Sequence, residues 1–186
     1  MRNFLLVTLL LVLSCQKDKR TEIEKELTES AEKYLKNGID VSGEDVVIDS
    51  LKLIKFDSLT PKDELFFVAY LYEQKLDSLL KDSEARLAKA KEYSSLEIHI
   101  NKPKEKIIEN LELSKLYSDS QKRILDKADK ADSTTFLGYI GNFNVKATNL
   151  KSREGFKLDS VTMFFYPDFT VMDKDDYSKK LLKKYK

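Results

Sequence analysis

The chain is 186 residues long and carries 33 basic against 32 acidic side chains, with 35% of residues charged. That balance excludes the basic surplus on which phosphate-backbone binding depends, so nucleic acid is not expected as a partner. A single cysteine rules out an intramolecular disulfide, and a single histidine beside it rules out a His/Cys zinc cluster.

Residues 1–14 place Arg2 ahead of an apolar run from Phe4 to Leu13, interrupted only by Thr8 and followed by Ser14 and Cys15. The run falls short of the roughly 18–20 apolar residues that span a bilayer. Its charge, length and small-residue end are those of a signal peptide. Val12-Leu13-Ser14-Cys15 resembles the lipobox of bacterial lipoproteins, with Val12 where leucine is commonest. The resemblance implies cleavage after Ser14 and lipidation of Cys15, whose acyl chains would anchor residues 15–186 to a membrane outside the cytoplasm. Gln16-Lys17-Asp18-Lys19 is similar to the short Gln-Lys-acidic export tract of surface lipoproteins in the Bacteroidota, although Lys19 stands where a second acidic residue is usual. Outer-membrane location is expected, with surface display read ahead of a periplasmic orientation.

Residues 15–20 read as a lipidated tether. Thr21-Glu22-Ile23-Glu24 has the form of a capping box, and Ile23, Leu27, Ala31, Tyr34 and Leu35 recur at helical spacing up to a stop at Gly38. Val46 to Leu59 is β-branched and alternating, which predicts a strand. Thr60 then caps a helix with Pro61 at its first position and Asp63-Glu64 in its first turn. An apolar stripe through Leu65, Val68, Ala69, Tyr72, Leu76, Leu79, Leu80, Leu87 and Ala90 carries it for about 45 Å at 1.5 Å per residue.

Leu96 to Ile100, which contains His99, is compatible with an extended stretch or with more helix. Asn101 and Pro103 open a further helix with Ile107, Leu111, Leu125 and Ala128 on a seam that also holds Ser114, Ser118 and Gln121. Leu137, Tyr139, Phe143, Val145 and Ala147 alternate around Gly138 and Gly141, where bulges or a close helix crossing are expected. A polar turn from Asn149 to Gly155 leads to a strand from Phe156 to Tyr166 with Val161, Met163 and Phe165 inward. Pro167-Asp168 makes a turn into a short last strand, Phe169 to Met172. Residues 175–186 form a basic tail, read first as a solvated, fraying end and otherwise as a basic amphipathic helix touching an anionic surface.

The expected fold is α+β: a small antiparallel sheet of three to four strands, an N-terminal helix, and a long projecting antiparallel helical hairpin. In domain terms, residues 21–174 form a single α+β domain with the hairpin 61–130 inserted between strands. This arrangement resembles small Bacteroidota lipoproteins of unknown function.

Candidate chemistry is sparse. No strand–Gly-x-Ser-x-Gly–helix context surrounds a serine, and His99 reads as a surface or loop residue rather than a catalytic base. No glycine-rich phosphate loop and no calcium-loop spacing occurs, so neither a cofactor nor a metal is expected. One pattern exceeds chance: Asp-Ser occurs seven times. Five copies continue with an aliphatic residue or threonine, at Ser50, Ser58, Ser78, Ser133 and Ser160. These are similar to the Asp-Ser/Thr-aliphatic sequon for O-glycosylation of exported Bacteroidota proteins, and they equally suit Asp and Ser as caps and turn formers. The functional expectation is a non-enzymatic envelope lipoprotein that binds another envelope protein or a glycan. The alternative is a carboxylate-dependent enzyme or enzyme accessory acting on envelope polymers, marked by two close acidic groups in a cleft.

Overall fold

A computed structural model describes residues 2–42, 45–92 and 101–186. Its elements in chain order are α1 (Arg2–Ser42), β1 (Val46–Leu59), α2 (Pro61–Glu92), α3 (Asn101–Ala128), β2 (Gly138–Asn149), β3 (Glu154–Phe165) and α4 (Lys174–Lys184). The class is α+β, as expected. The chain divides into two compact units: Met1–Leu59 with Phe136–Lys174, and Thr60–Thr135 with Asp175–Lys186.

The first unit is a three-stranded antiparallel sheet of order β1-β2-β3 with α1 against it. Leu27 and Ala31 of α1 are fully buried with Phe143, Val145, Met163 and Phe165, and Ile23 and Leu35 extend that face at four-residue intervals. Two expectations about this helix are corrected. It begins at Arg2 rather than Thr21, because the intervening Ser-Cys-Gln-Lys-Asp-Lys-Arg stretch holds neither glycine nor proline to break it. Thr21 therefore lies inside the helix and does not cap it. Gly38 does not stop it either, since one helical glycine costs only about 1 kcal/mol and the helix runs on to Ser42.

β1 occupies the expected residues, but its alternation is broken. Register shifts between Ile48 and Ser50 and between Leu53 and Lys55 each absorb an extra residue. Ile48, Leu51, Leu53 and Phe56 thereby share the helix-facing side, while Ile54 is half exposed. β2 keeps strict alternation, with Phe143, Val145 and Ala147 buried. In β3 Met163 and Phe165 face the core, and Val161 packs beside them. Gly138 is the corner residue: its φ is +152°, and an added Cβ would lie 2.0 Å from the Phe165 carbonyl oxygen. The Pro167-Asp168 turn is closed by the Phe169 amide donating to the Tyr166 carbonyl at 2.9 Å. Residues 169–172 do not form the expected last strand. Only a single bridge joins Val171 to Phe165, because the chain leaves for α4 at Lys174.

The second unit contains α2, α3 and α4. At the start of α2 the cap is reciprocal: Thr60 donates its amide to Asp63 at 2.9 Å, and the Asp63 amide donates back to Thr60 Oγ1 at 3.4 Å. Contacts between α2 and α3 run in opposite order along the two helices. Gln121 donates to the Ala69 carbonyl, Tyr72 meets Tyr117 with ring centroids 5.9 Å apart, and Asn110 bonds Asp82 and Ser83. The helices are therefore antiparallel; their connection, with His99 and the Leu96–Ile100 stretch, lies outside the described residues.

The expected α3 seam holds at 107, 114, 121 and 128 and slips by one residue at the positions between them. Asn110, Ile124 and Ala128 are buried, whereas Leu111 is 64% exposed and Leu125 is 39% exposed. The seam that forms steps through 107, 110, 114, 117, 121, 124 and 128 at alternating intervals of three and four. Asn110 can occupy it because its amide finds two acceptors on α2. The tail is also corrected. Residues 174–184 form α4, the amphipathic helix of the second reading rather than a fraying end, with Tyr177 and Leu181 buried.

Candidate functional site

The residues singled out from sequence fall in three places. Cys15 lies within α1, and His99 lies outside the described residues. No helix among the described residues is long and apolar enough to cross a membrane. Among the described residues, no group of His, Cys, Asp and Glu side chains is placed to hold a metal ion.

The five sequon serines are distributed over both units and are all exposed. Ser50 sits at the first β1 bulge and Ser58 near the end of β1, where its amide donates to Asp57 Oδ1. Ser78 is on the outer side of α2. Ser133 stands in the loop after α3, where the Asp132 carboxylate takes hydrogen bonds from the hydroxyls and amides of Thr134 and Thr135. Those bonds, the Thr134 hydroxyl foremost, hold the Asp132 carboxyl well below its ordinary pKa. Ser160 has a φ of +57° at the β3 irregularity, held by its amide donating to Asn144 Oδ1 at 3.2 Å.

The remaining two Asp-Ser serines behave differently. Ser83 Oγ donates to the Leu79 carbonyl at 2.8 Å and accepts from Asn110; Ser120 Oγ donates to the Leu116 carbonyl at 2.8 Å and accepts from Arg123. Sequon context and an outward, uncommitted hydroxyl thus coincide.

The helical unit also holds a feature the sequence did not disclose. Residues of α2, α3 and the α4 end of the chain enclose a cleft of about 600 Å³. Its apolar wall comes from Tyr72, Leu116, Tyr117, Ile124 and Leu182. Around that wall stand Lys75, Arg123, Lys127, Lys183 and Lys186, and no acidic side chain among the described residues lines it. Lys75 Nζ lies 5.5 Å from the Tyr72 ring centroid and 5.2 Å from that of Tyr117, so its charge rests on two ring faces. Arg123 is held toward Ser120 Oγ at 3.1 Å by helical i, i+3 spacing.

α4 is fixed in this unit by Glu64. The carboxylate is 8% exposed and accepts from the Tyr177 hydroxyl at 3.0 Å, the Tyr185 hydroxyl at 2.8 Å and Lys184 Nζ at 2.5 Å. Phe67 stacks on Tyr177 with centroids 6.2 Å apart. Lys184 and Glu64 neutralise each other, which leaves the neighbouring Lys183 and Lys186 for the cleft. Burial raises the Tyr185 hydroxyl above its ordinary pKa. At Lys184 burial acts to lower the pKa, but the hydrogen bonds to Glu64 and Tyr185 together outweigh it, and the pKa is raised.

The five cations are scattered over more than a hundred sequence positions and offset by acids elsewhere, so a neutral total conceals them. The available signal was the lysine-rich tail with Tyr177, Leu181, Leu182 and Tyr185 at helical spacing. Compared with known protein families, curated proteins and solved structures, the chain finds no match.

Proposed function

We propose that the chain is a membrane-anchored envelope lipoprotein with a non-enzymatic binding or structural role, placed at the outer membrane and displayed at the cell surface. The carrying observation is the leader: Arg2, the Phe4–Leu13 run, Ser14, and then the only cysteine of the chain. Two acyl chains on Cys15 supply stable anchoring, since each buried methylene contributes about 0.8 kcal/mol. Another envelope protein or a glycan is the proposed partner. The exposed, uncommitted hydroxyls of Ser50, Ser58, Ser78, Ser133 and Ser160 support the reading of those five as O-glycan acceptors. The absence of an acidic side chain from the described cleft lining favours binding over carboxylate catalysis there.

The test compares the full precursor with Cys15→Ser in a host that processes lipoproteins. The wild-type chain is expected to incorporate labelled fatty acid and to partition with membranes, while Cys15→Ser does neither. Equal incorporation in both would overturn the anchor. Intact mass of the native-host protein tests glycosylation, and a mass equal to polypeptide plus lipid would refute it.

A further inference from the structure

We propose that the cleft bounded by α2, α3 and the end of α4 is a binding site for a small organic anion: a phosphate-, sulfate- or carboxylate-bearing molecule with an apolar or ring-shaped body. The site lies wholly within the second unit and does not rest on the lipid anchor.

Three observations point to that chemistry. The volume of about 600 Å³ lies within the range of pockets that take drug-sized ligands. The apolar wall of Leu116, Ile124 and Leu182 gives a ligand body something to exclude water against. The charge is one-signed: Lys75, Arg123, Lys127, Lys183 and Lys186 surround the wall in a chain whose totals cancel. The four carrying an ammonium and the one guanidinium lack an acidic partner among the ion pairs described, whereas Lys106, Lys179 and Lys184 elsewhere in the same unit each have one. Arg123, Lys127, Lys183 and Lys186 are exposed, so water moderates their mutual repulsion, and charged side chains of one sign around an apolar hollow complement an anionic ligand. An inorganic anion alone would meet the charges and leave the apolar wall unused; a neutral hydrocarbon would do the reverse.

The probe is 1-naphthyl phosphate, with inorganic phosphate and 1-naphthol as its two halves, measured by equilibrium dialysis against the full chain in nanodiscs of neutral lipid. Empty nanodiscs supply the blank. Saturable binding of naphthyl phosphate, at least tenfold tighter than either half, is expected. Arg123→Glu/Lys127→Glu is expected to weaken it tenfold or more. Lys115→Glu/Lys122→Glu, which makes the same charge change on exposed α3 positions outside the cleft, is expected to change it less than twofold.

Binding no tighter than that of 1-naphthol, or equal loss in both double variants, would overturn the site. A further arm replaces part of the neutral lipid by phosphatidylglycerol. Displacement of naphthyl phosphate from the wild type identifies a lipid headgroup as the source of the anion, and unchanged binding identifies a free molecule.

Discussion

Substitution of Glu64 is expected to release α4 from the helical unit. The carboxylate accepts three hydrogen bonds, but they differ in weight because their donors differ in burial. Tyr177 is 5% exposed, so Glu64→Ala removes the acceptor of a buried hydroxyl, at about 1–3 kcal/mol. The Lys184 side chain is 49% exposed and recovers hydration on swinging out, so its ion pair adds no more than about 1 kcal/mol. Tyr185 is partly exposed and rehydrates as well. The net loss for Glu64→Ala is about 2–3 kcal/mol, and Glu64→Gln, which keeps an acceptor for Tyr177, loses about 1 kcal/mol. Because α4 holds through this carboxylate and the Tyr177 and Leu181 side chains, the loss appears first as local opening. Native-state hydrogen exchange read by mass spectrometry on the 174–186 peptide checks it. Exchange accelerated about 30- to 150-fold in Glu64→Ala corresponds to that energy. Acceleration below threefold, or equal effects of Ala and Gln, would refute the reasoning.

Asn110→Ala removes a buried amide from the α2–α3 seam and leaves Ser83 and Asp82 one donor poorer, so unfolding by urea is expected to show a loss of about 1–3 kcal/mol. Asp82 keeps Arg86 at 2.7 Å, the pair whose hydrogen bond lowers its pKa, and Arg86→Ala added to Asn110→Ala should cost more than the single change. Gly138→Ala places a Cβ against the Phe165 carbonyl in a left-handed backbone conformation, and a loss of more than about 2 kcal/mol in thermal or urea unfolding is expected. Raising the pH should loosen α4. Lys184 and Tyr185 both have raised pKa values, so their stabilising contribution is complete below their ordinary values near 10 and is lost as pH climbs through the folded ones. Tyrosinate absorbance checks this: Tyr185→Phe should remove one tyrosine that ionises above the ordinary range.

Local chemistry made several elements legible. β1 was placed at its observed ends because it opens on the β-branched Val46-Val47-Ile48 and a Thr-Pro-x-Asp cap follows Leu59 at once. The inward side of β2 was also readable, since strict alternation needs no tertiary information. The faces of β1 were not, because two bulges change which residues share a side, and bulges are fixed by pairing with β2. Helix periodicity placed 107, 114, 121 and 128 of α3 on the seam but missed the positions between them. Leu111 and Leu125 look like better seam residues than Asn110 and Ile124 until α2 supplies acceptors for the Asn110 amide.

The Arg2-to-Cys15 residue pattern and the Asp-Ser copies are properties of neighbouring residues, and the sequence alone determined them. Whether those serines point outward, and where five cations converge, depends on residues far apart in the chain. The tertiary structure decided both, because burial and charge proximity are set by which helices and strands pack together.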